Sequence, residues 1–162
     1  MTLANADVKS PEFLSLNPNN KIRAIIDPNG PDGPIGLFES GAILIYLSEK
    51  TGKFFGSNAV ELTKITQWLM FQMGGLGPMF GQLGFFNKFA GSQIEDHRPR
   101  DRYIGESKRL LAVVDKQLDG QDWISGDYSI ADMAIAPWLR ALDFYAHVKL
   151  SAGKTTKMLL HI

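Results

Sequence analysis

The chain has 162 residues, of which 44% are hydrophobic and 21% are charged, as is usual for a globular protein of one or two small domains. Its 17 basic and 17 acidic residues balance, so the charge favours neither nucleic acid nor an anionic membrane surface as a partner. The absence of cysteine excludes disulfides and a cysteine nucleophile in this sequence, and the histidines lack metal-ligand spacing, so no metal is expected. The sequence has no apolar run that could cross a membrane and does not start like a signal peptide, so we expect a cytoplasmic location.

The first third of the chain predicts a β-hairpin followed by a helix. After a helical turn at residues 11–14, an apolar strand at 24–26 meets a dense Pro/Gly/Asn/Asp turn signal, and a return strand follows at 35–38. A helix is predicted from Ser40 to Lys50, and Gly52 stands just past its end.

The remaining two thirds predict helices alone. Glu61 to Met73 reads as a largely buried helix, with its inner stripe at Leu62, Ile65, Trp68, Leu69 and Met73. The glycines and proline at 74–81 should kink or restart it, and further helices are predicted at about 98–118 and 129–145. The second of these opens with a capping box from Ser129 to Asp132, a structural feature worth roughly 1 kcal/mol. Residues 149–162 lose periodicity, and we expect them to be poorly ordered.

This pattern predicts an α+β protein with two parts, a hairpin-plus-helix domain at 1–56 and an all-helical domain at 57–162. The junction between the return strand and its helix is the most informative point, because Glu39 and Ser40 stand there together. Unpaired N–H groups at a helix N-terminus can hold a ligand carboxylate, while Glu39 can hold an ammonium group beside it. The alternative is that Glu39 and Ser40 merely cap the helix.

Three segments in the same order resemble the glutathione transferase superfamily. They are residues 17–22 (Asn-Pro-Asn-Asn-Lys-Ile), residues 37–43 (Leu-Phe-Glu-Ser-Gly-Ala-Ile), and residues 68–79, whose Gly-Gly-Leu-Gly-Pro run resembles the bacterial nu class and its fungal relatives. The capping segment 128–132 fits the same family, and the resemblance covers about residues 11 to 145.

The resemblance implies a partial thioredoxin-like N-terminal piece, an all-α C-terminal domain, a homodimer and glutathione as substrate or ligand. It implies either conjugation of glutathione to an electrophile or glutathione-dependent disulfide reduction. Glu39 and Ser40 would hold the γ-glutamyl end and the main chain of Ile22 the cysteinyl amide. Apart from the resemblance, Lys21 could favour an anion near Ile22, although an ordinary surface lysine is the more common case. Arg102 matches an arginine that reaches the glutathione carboxylates in the nu class. The alternative, which is slightly favoured, is that it lies on a solvated helix face crowded with the charged residues at 96, 98, 100 and 101.

The chain departs from the family pattern in three ways. It lacks the strand-helix-strand unit that carries the thiol-activating residue, and it lacks the final helices, so it resembles a member truncated at both ends. Arg23 stands where the family has a cis-proline, and because a non-proline cis bond costs roughly 2.5–4 kcal/mol, a trans bond is expected. A non-enzymatic dimerising or scaffold domain, or a degenerate and inactive member, therefore remains an alternative function.

Other residues leave alternatives open. The methionines and phenylalanines at 70–86 could line a pocket for an apolar electrophile, although core or dimer-interface packing is favoured. Core packing is also favoured for the four tyrosine hydroxyls that could activate a thiol, at positions 46, 103, 128 and 145. The outer edge of the first strand should be unpaired, which predicts dimerisation or aggregation through it.

Overall fold

The computed structural model describes residues 7–146, without the side chains at 92, 143, 145 and 146. The chain divides after Gly52 into two compact units, slightly before the boundary predicted at 56–57. The stretch 149–162, for which poor order is predicted, and the side chain of Tyr145 lie outside the described residues. Each unit is considered by itself below.

The first unit is a two-stranded sheet with helices. In chain order its elements are a 3₁₀ turn at Asp7–Lys9, helix α1 (Pro11–Leu16), strands β1 (Ala24–Gly30) and β2 (Gly33–Phe38), and helix α2 (Ser40–Thr51). Helix α1 begins where the Ser10 hydroxyl accepts a hydrogen bond from the N–H of Phe13, and α2 ends at Gly52, whose φ of 66° suits glycine. The hairpin and helix predicted from the sequence are therefore confirmed.

The hairpin is antiparallel and carries one irregularity. Ala24 pairs with Phe38 and Asp27 with Ile35, and the register then shifts between Asp27 and Gly30. Within the described residues β1 pairs with β2 alone, so its other edge has no strand partner. Association through that edge stays a prediction.

The second unit is helical, as predicted. Its elements are α3 (Ala59–Phe71), a π turn at Gln72–Leu76, α4 (Gly77–Gly84), a second π turn at Phe85–Phe89, a 3₁₀ turn at Gly91–Gln93, α5 (Arg98–Gln117) and α6 (Ile130–Ala146). The predicted break at 74–81 takes the form of the first π turn, in which the N–H of Gly77 reaches the carbonyl of Gln72. Pro78 is the second residue of α4, which directly follows this turn.

The core of the second unit is built from leucine, isoleucine and valine on these helices. Its most buried large side chains include Leu69, Leu76, Phe80, Leu110, Val114 and Leu139. The predicted inner stripe of α3 is wrong at Leu62, which is 43% exposed, while Ile65 and Leu69 are buried. Helical periodicity states which residues share a face, but not how far along the helix its neighbours extend.

Helix α6 begins on a buried carboxylate. Asp132 is fully buried and accepts hydrogen bonds from the N–H and hydroxyl of Ser129 and from the N–H of Ile124, at 2.8–3.0 Å. Burial raises the pKa of the Asp132 carboxyl, and these hydrogen bonds act in the opposite direction. The carboxylate thereby fixes residues 124–129 to the first turn of α6.

Candidate functional site

Glu39 occupies the N-cap position of α2 in an unusual backbone conformation. Its φ is 68° and its ψ is 116°, a region that residues with a side chain rarely adopt. The carboxylate does not cap its own helix. Its Oε1 instead accepts a hydrogen bond of 3.2 Å from Nδ2 of Asn19. The helix-cap alternative therefore does not describe what the Glu39 side chain does.

Helix α2 consequently starts with an electropositive first turn. The N–H of Ile43 donates to the carbonyl of Glu39 at 2.9 Å, and the first turn holds no acidic residue. The first N–H groups of a helix have no intrahelical partner and carry the positive end of its dipole. Half-buried Ser40 is the first residue of that turn, beside the exposed Glu39. The arrangement can accept a carboxylate next to an ammonium group.

The loop before β1 is built around Asn17, which is 1% exposed. Its Oδ1 accepts from the N–H of Asn19 at 3.0 Å, and its Nδ2 donates to the carbonyl of Lys21. Lys21 is exposed, and Ile22 is 61% exposed. The loop thus links the predicted Ile22 and Glu39 positions through a short series of hydrogen bonds.

The prediction of a trans bond before Arg23 is wrong, because the Ile22–Arg23 peptide bond is cis. That prediction used only the intrinsic preference of a non-proline residue. It took no account of contacts within the folded loop, in which Nδ2 of buried Asn17 donates to the carbonyl of Lys21.

Arg102 lies on α5 in the second unit. Its neighbours Arg98, Arg100 and Arg109 each pair with an acidic residue, whereas Arg102 makes no ion pair within residues 7–146. It lines a shallow depression of about 400 Å³ together with Asp96, Arg98, Pro99 and Tyr103. The charge of Arg102 helps to lower the pKa of Glu106, after the larger effect of Arg109. An exposed guanidinium outside these ion pairs can bind a carboxylate of a ligand.

The described tyrosines differ from one another. The prediction that Tyr46 packs in the core is wrong, because its hydroxyl donates to Oδ2 of Asp27 at 2.6 Å. This hydrogen bond raises the pKa of Tyr46. Tyr128 packs edge-on against Phe54 and Trp123, and burial raises its pKa. Tyr103 stacks on Phe86. A hydroxyl that is already donated to a carboxylate cannot serve a thiolate, which excludes Tyr46 as a thiol activator.

Sequence reasoning missed the contact between Asp27, Tyr46 and Lys50. The carboxylate of Asp27 also pairs with Nζ of Lys50, and Lys50 lies four residues after Tyr46 on α2. Because residues four apart share a helix face, this spacing is the signal that could have found it.

Core packing describes only part of the segment rich in methionine and phenylalanine. Of the residues named there, Phe80 is fully buried, whereas Met70 and Phe85 are each 49% exposed. The others, at 71, 73, 79 and 86, are half-buried. In the described part of the chain there is no cluster of three or more histidine, aspartate or glutamate side chains placed to hold a metal ion. The described helices also include none with both the length and the apolarity of a membrane span.

Comparison with known proteins found relatives over most of the chain, although no family model matches it. The disulfide-bond oxidoreductase YfcG of Escherichia coli is 49% identical over 134 residues, which cover 81% of this chain and 61% of that protein. YghU of the same organism is 41% identical over 137 residues, which cover 84% of this chain and 46% of that protein. The chain therefore spans roughly half to two thirds of these relatives.

This chain covers a larger share of several solved structures. A glutathione transferase of Burkholderia graminis with two glutathione molecules bound per subunit is 56% identical, with a TM-score of 0.89, over 96% of this chain and 68% of that one. A family member of Pseudomonas fluorescens, also with two glutathione bound, is 53% identical, with a TM-score of 0.91, over 96% and 71%. Ure2p in complex with glutathione is 30% identical, with a TM-score of 0.85, over 99% and 80%. On this identity and coverage, the chain belongs to the glutathione transferase superfamily, in which it is similar to YfcG, YghU and Ure2p.

Proposed function

We propose that this chain binds glutathione at the start of α2. Glu39 pairs with the ammonium group of the γ-glutamyl residue, and Ser40 with the first-turn N–H groups binds its carboxylate. The main chain of Ile22 binds the cysteinyl amide, and Lys21 favours the anionic ligand. Arg102, in the second unit, is proposed as a separate contact for a glutathione carboxylate.

One observation carries this proposal. The Glu39 carboxylate is turned away from its own helix and held by Asn19, so that it leaves the first turn of α2 uncapped by the N-cap side chain. A rare backbone conformation at such a position is typical of ligand-binding sites. The bound glutathione or glutathione disulfide in relatives 52–56% identical supports the same ligand.

The chemistry follows from the ligand. In both conjugation and disulfide reduction the glutathione thiolate is the nucleophile, and a nearby donor favours its formation. The name of YfcG favours disulfide reduction, although this chain spans 61% of that protein. We assign no thiol activator among the described side chains and expect weak turnover from this chain alone. A cytoplasmic location belongs to the proposal, because the cytosol maintains thiols in reduced form.

Thermal unfolding with and without millimolar glutathione or glutathione disulfide tests the site. A ligand at a hundredfold excess over its Kd stabilises the folded state by about 2.7 kcal/mol, so the Tm should rise measurably. Glu39→Ala and Ser40→Ala should abolish the rise. Glu49→Ala, a matched control because Glu49 is an exposed glutamate on the same helix, should retain it. A wild-type Tm that neither ligand changes contradicts the proposal.

A dimerising role is the second candidate, and a surface on α3 favours it. Five exposed residues recur at helical spacing along one face of α3 and the π turn after it, namely Val60, Thr63, Gln67, Met70 and Gly74. We call them the α3 stripe. Val60 is 64% exposed and Met70 is 49% exposed, so both apolar side chains are open to a partner surface. We propose that a second copy of the chain covers the α3 stripe.

A further inference from the structure

The loop at residues 17–22 has a role that ligand contact at Ile22 does not explain. Glu39 is exposed, and an exposed glutamate side chain samples many rotamers that it must give up when it binds a cation. Here Nδ2 of Asn19 donates to Oε1 of Glu39 at 3.2 Å. One carboxylate oxygen is thereby occupied, and the other is left for an ammonium group.

Asn19 is itself held in place by hydrogen bonds within its loop. Its N–H donates to Oδ1 of Asn17 at 3.0 Å, and the buried Asn17 is fixed by its own N–H, which reaches the carbonyl of Phe13 at 2.8 Å. The backbone carbonyl of Asn17 also accepts a hydrogen bond from the N–H of Asn20 at 3.1 Å. Asn20 adopts a left-handed φ of 57°, which asparagine tolerates. The Asn19 side chain is therefore presented to Glu39 from an ordered loop.

We infer that Asn19 is a positioning residue that makes the site specific for a ligand with a free α-ammonium group. This inference rests on the proposed function, because Asn19 acts through Glu39 and touches no ligand group itself. Orientation of Glu39 before binding removes part of the entropic cost of forming its ion pair with the ammonium group. A ligand without that group gains nothing from the orientation.

Calorimetric titration of the full chain tests this with two probes, glutathione and its analogue glutaryl-cysteinyl-glycine, which lacks the amino group. Asn19→Ala should weaken glutathione binding about fivefold, the order of the cost of immobilising one flexible side chain, and leave analogue binding unchanged. In a Glu39→Ala background the same substitution should have no further effect. Asn29→Ala is the matched control, because Asn29 is an exposed asparagine of the same unit whose N–H and carbonyl supply its contacts.

The outcomes distinguish a failure of the proposed site from a failure of the inference about Asn19. If Glu39→Ala leaves glutathione binding intact, the proposed site is wrong. If Glu39→Ala weakens binding but Asn19→Ala does not, the inference about Asn19 is overturned and the site stands. Equal weakening of both probes by Asn19→Ala, or additive losses in the double variant, assigns Asn19 a merely structural role and also overturns the inference.

Discussion

At the scale of single residues, the positive φ of Glu39 places backbone strain at the proposed glutathione site. A residue with a Cβ in this region of backbone space is strained by about 1–3 kcal/mol, and glycine would relieve that strain. The chain nevertheless places a glutamate at this position, the N-cap of α2. We interpret the strain as the cost of directing a carboxylate beside the first turn of the helix.

Glu39→Gly should therefore stabilise the unliganded protein by about 1 kcal/mol, because glycine adopts the observed φ of 68° without a steric cost. The same variant should lose the glutathione-dependent rise in Tm, because it removes the carboxylate. Urea unfolding without ligand and thermal unfolding with ligand measure the two effects. Glu49→Gly, at a helical position in the last turn of α2, is the control and should destabilise the protein. A destabilised Glu39→Gly would refute the assignment of strain.

The sequence could predict residues whose partners are local. Ser129 and Asp132 lie three apart, and their contact follows from helix-start geometry alone. The sequence predicts Glu39 as a candidate site residue, but its partner Asn19 lies 20 residues away, across the hairpin, so their contact could not be predicted. The φ of Glu39 depends on how β2 connects to α2, and no local sequence pattern specifies that connection. The hydroxyl contact of Tyr46 with Asp27 could not be predicted for the same reason, since the two are 19 residues apart.

At the scale of elements, Asp27 joins β1 to α2. Its carboxylate accepts from Nζ of Lys50, from the Tyr46 hydroxyl and from the N–H of Asn29. The hydrogen bond from Lys50 is the largest cause that lowers the pKa of Asp27, which falls from its ordinary 3.8 to about 2. The two-stranded sheet is small, and a two-stranded hairpin is at best marginally stable alone. The contact with α2 therefore stabilises the hairpin.

This depressed pKa predicts how stability depends on pH. The folded state binds the Asp27 proton more weakly than the unfolded chain. The contribution of ionised Asp27 to the stability of the folded state is therefore complete above pH 3.8 and is lost as the pH falls through about 2. Lys50→Met should raise the pKa of Asp27 toward 3.8, as measured by an NMR titration of its carboxyl carbon. The loss of stability in acid should then occur at a higher pH. Lys53→Met, at another exposed lysine, should leave the titration unchanged. An Asp27 pKa unaffected by Lys50→Met would contradict the account.

Element type and order could be predicted well, because turn residues and apolar periodicity are local properties. The hairpin at Ala24–Phe38 and the helices α2, α5 and α6 follow the predicted order. The π turn at Gln72–Leu76 could not be predicted, because glycine and proline indicate a break without stating its form. The exposure of Leu62 escaped prediction because it depends on neighbouring elements rather than on α3 itself.

At the scale of the whole molecule, the two units differ in how much apolar surface they bury. Within the described residues of the first unit, Ile43 is the one large apolar side chain that is buried, whereas the second unit buries many. A small unit with little core gains less stability from apolar burial than a larger one. The helical unit is therefore the more autonomous part of the chain, and its α3 stripe offers a surface for association.

The α3 stripe leads to a prediction about oligomeric state. If a second copy covers it, the wild-type chain should sediment as a dimer, and Met70→Asp should weaken dimerisation about tenfold or more, because it buries an unpaired charge at the interface. Leu62→Asp is the matched control, since Leu62 is an exposed apolar residue of α3 outside the stripe. Sedimentation equilibrium over a range of concentrations measures both variants against wild type. A wild-type monomer at high concentration would refute the dimer, and equal effects of the two substitutions would assign the interface to another surface.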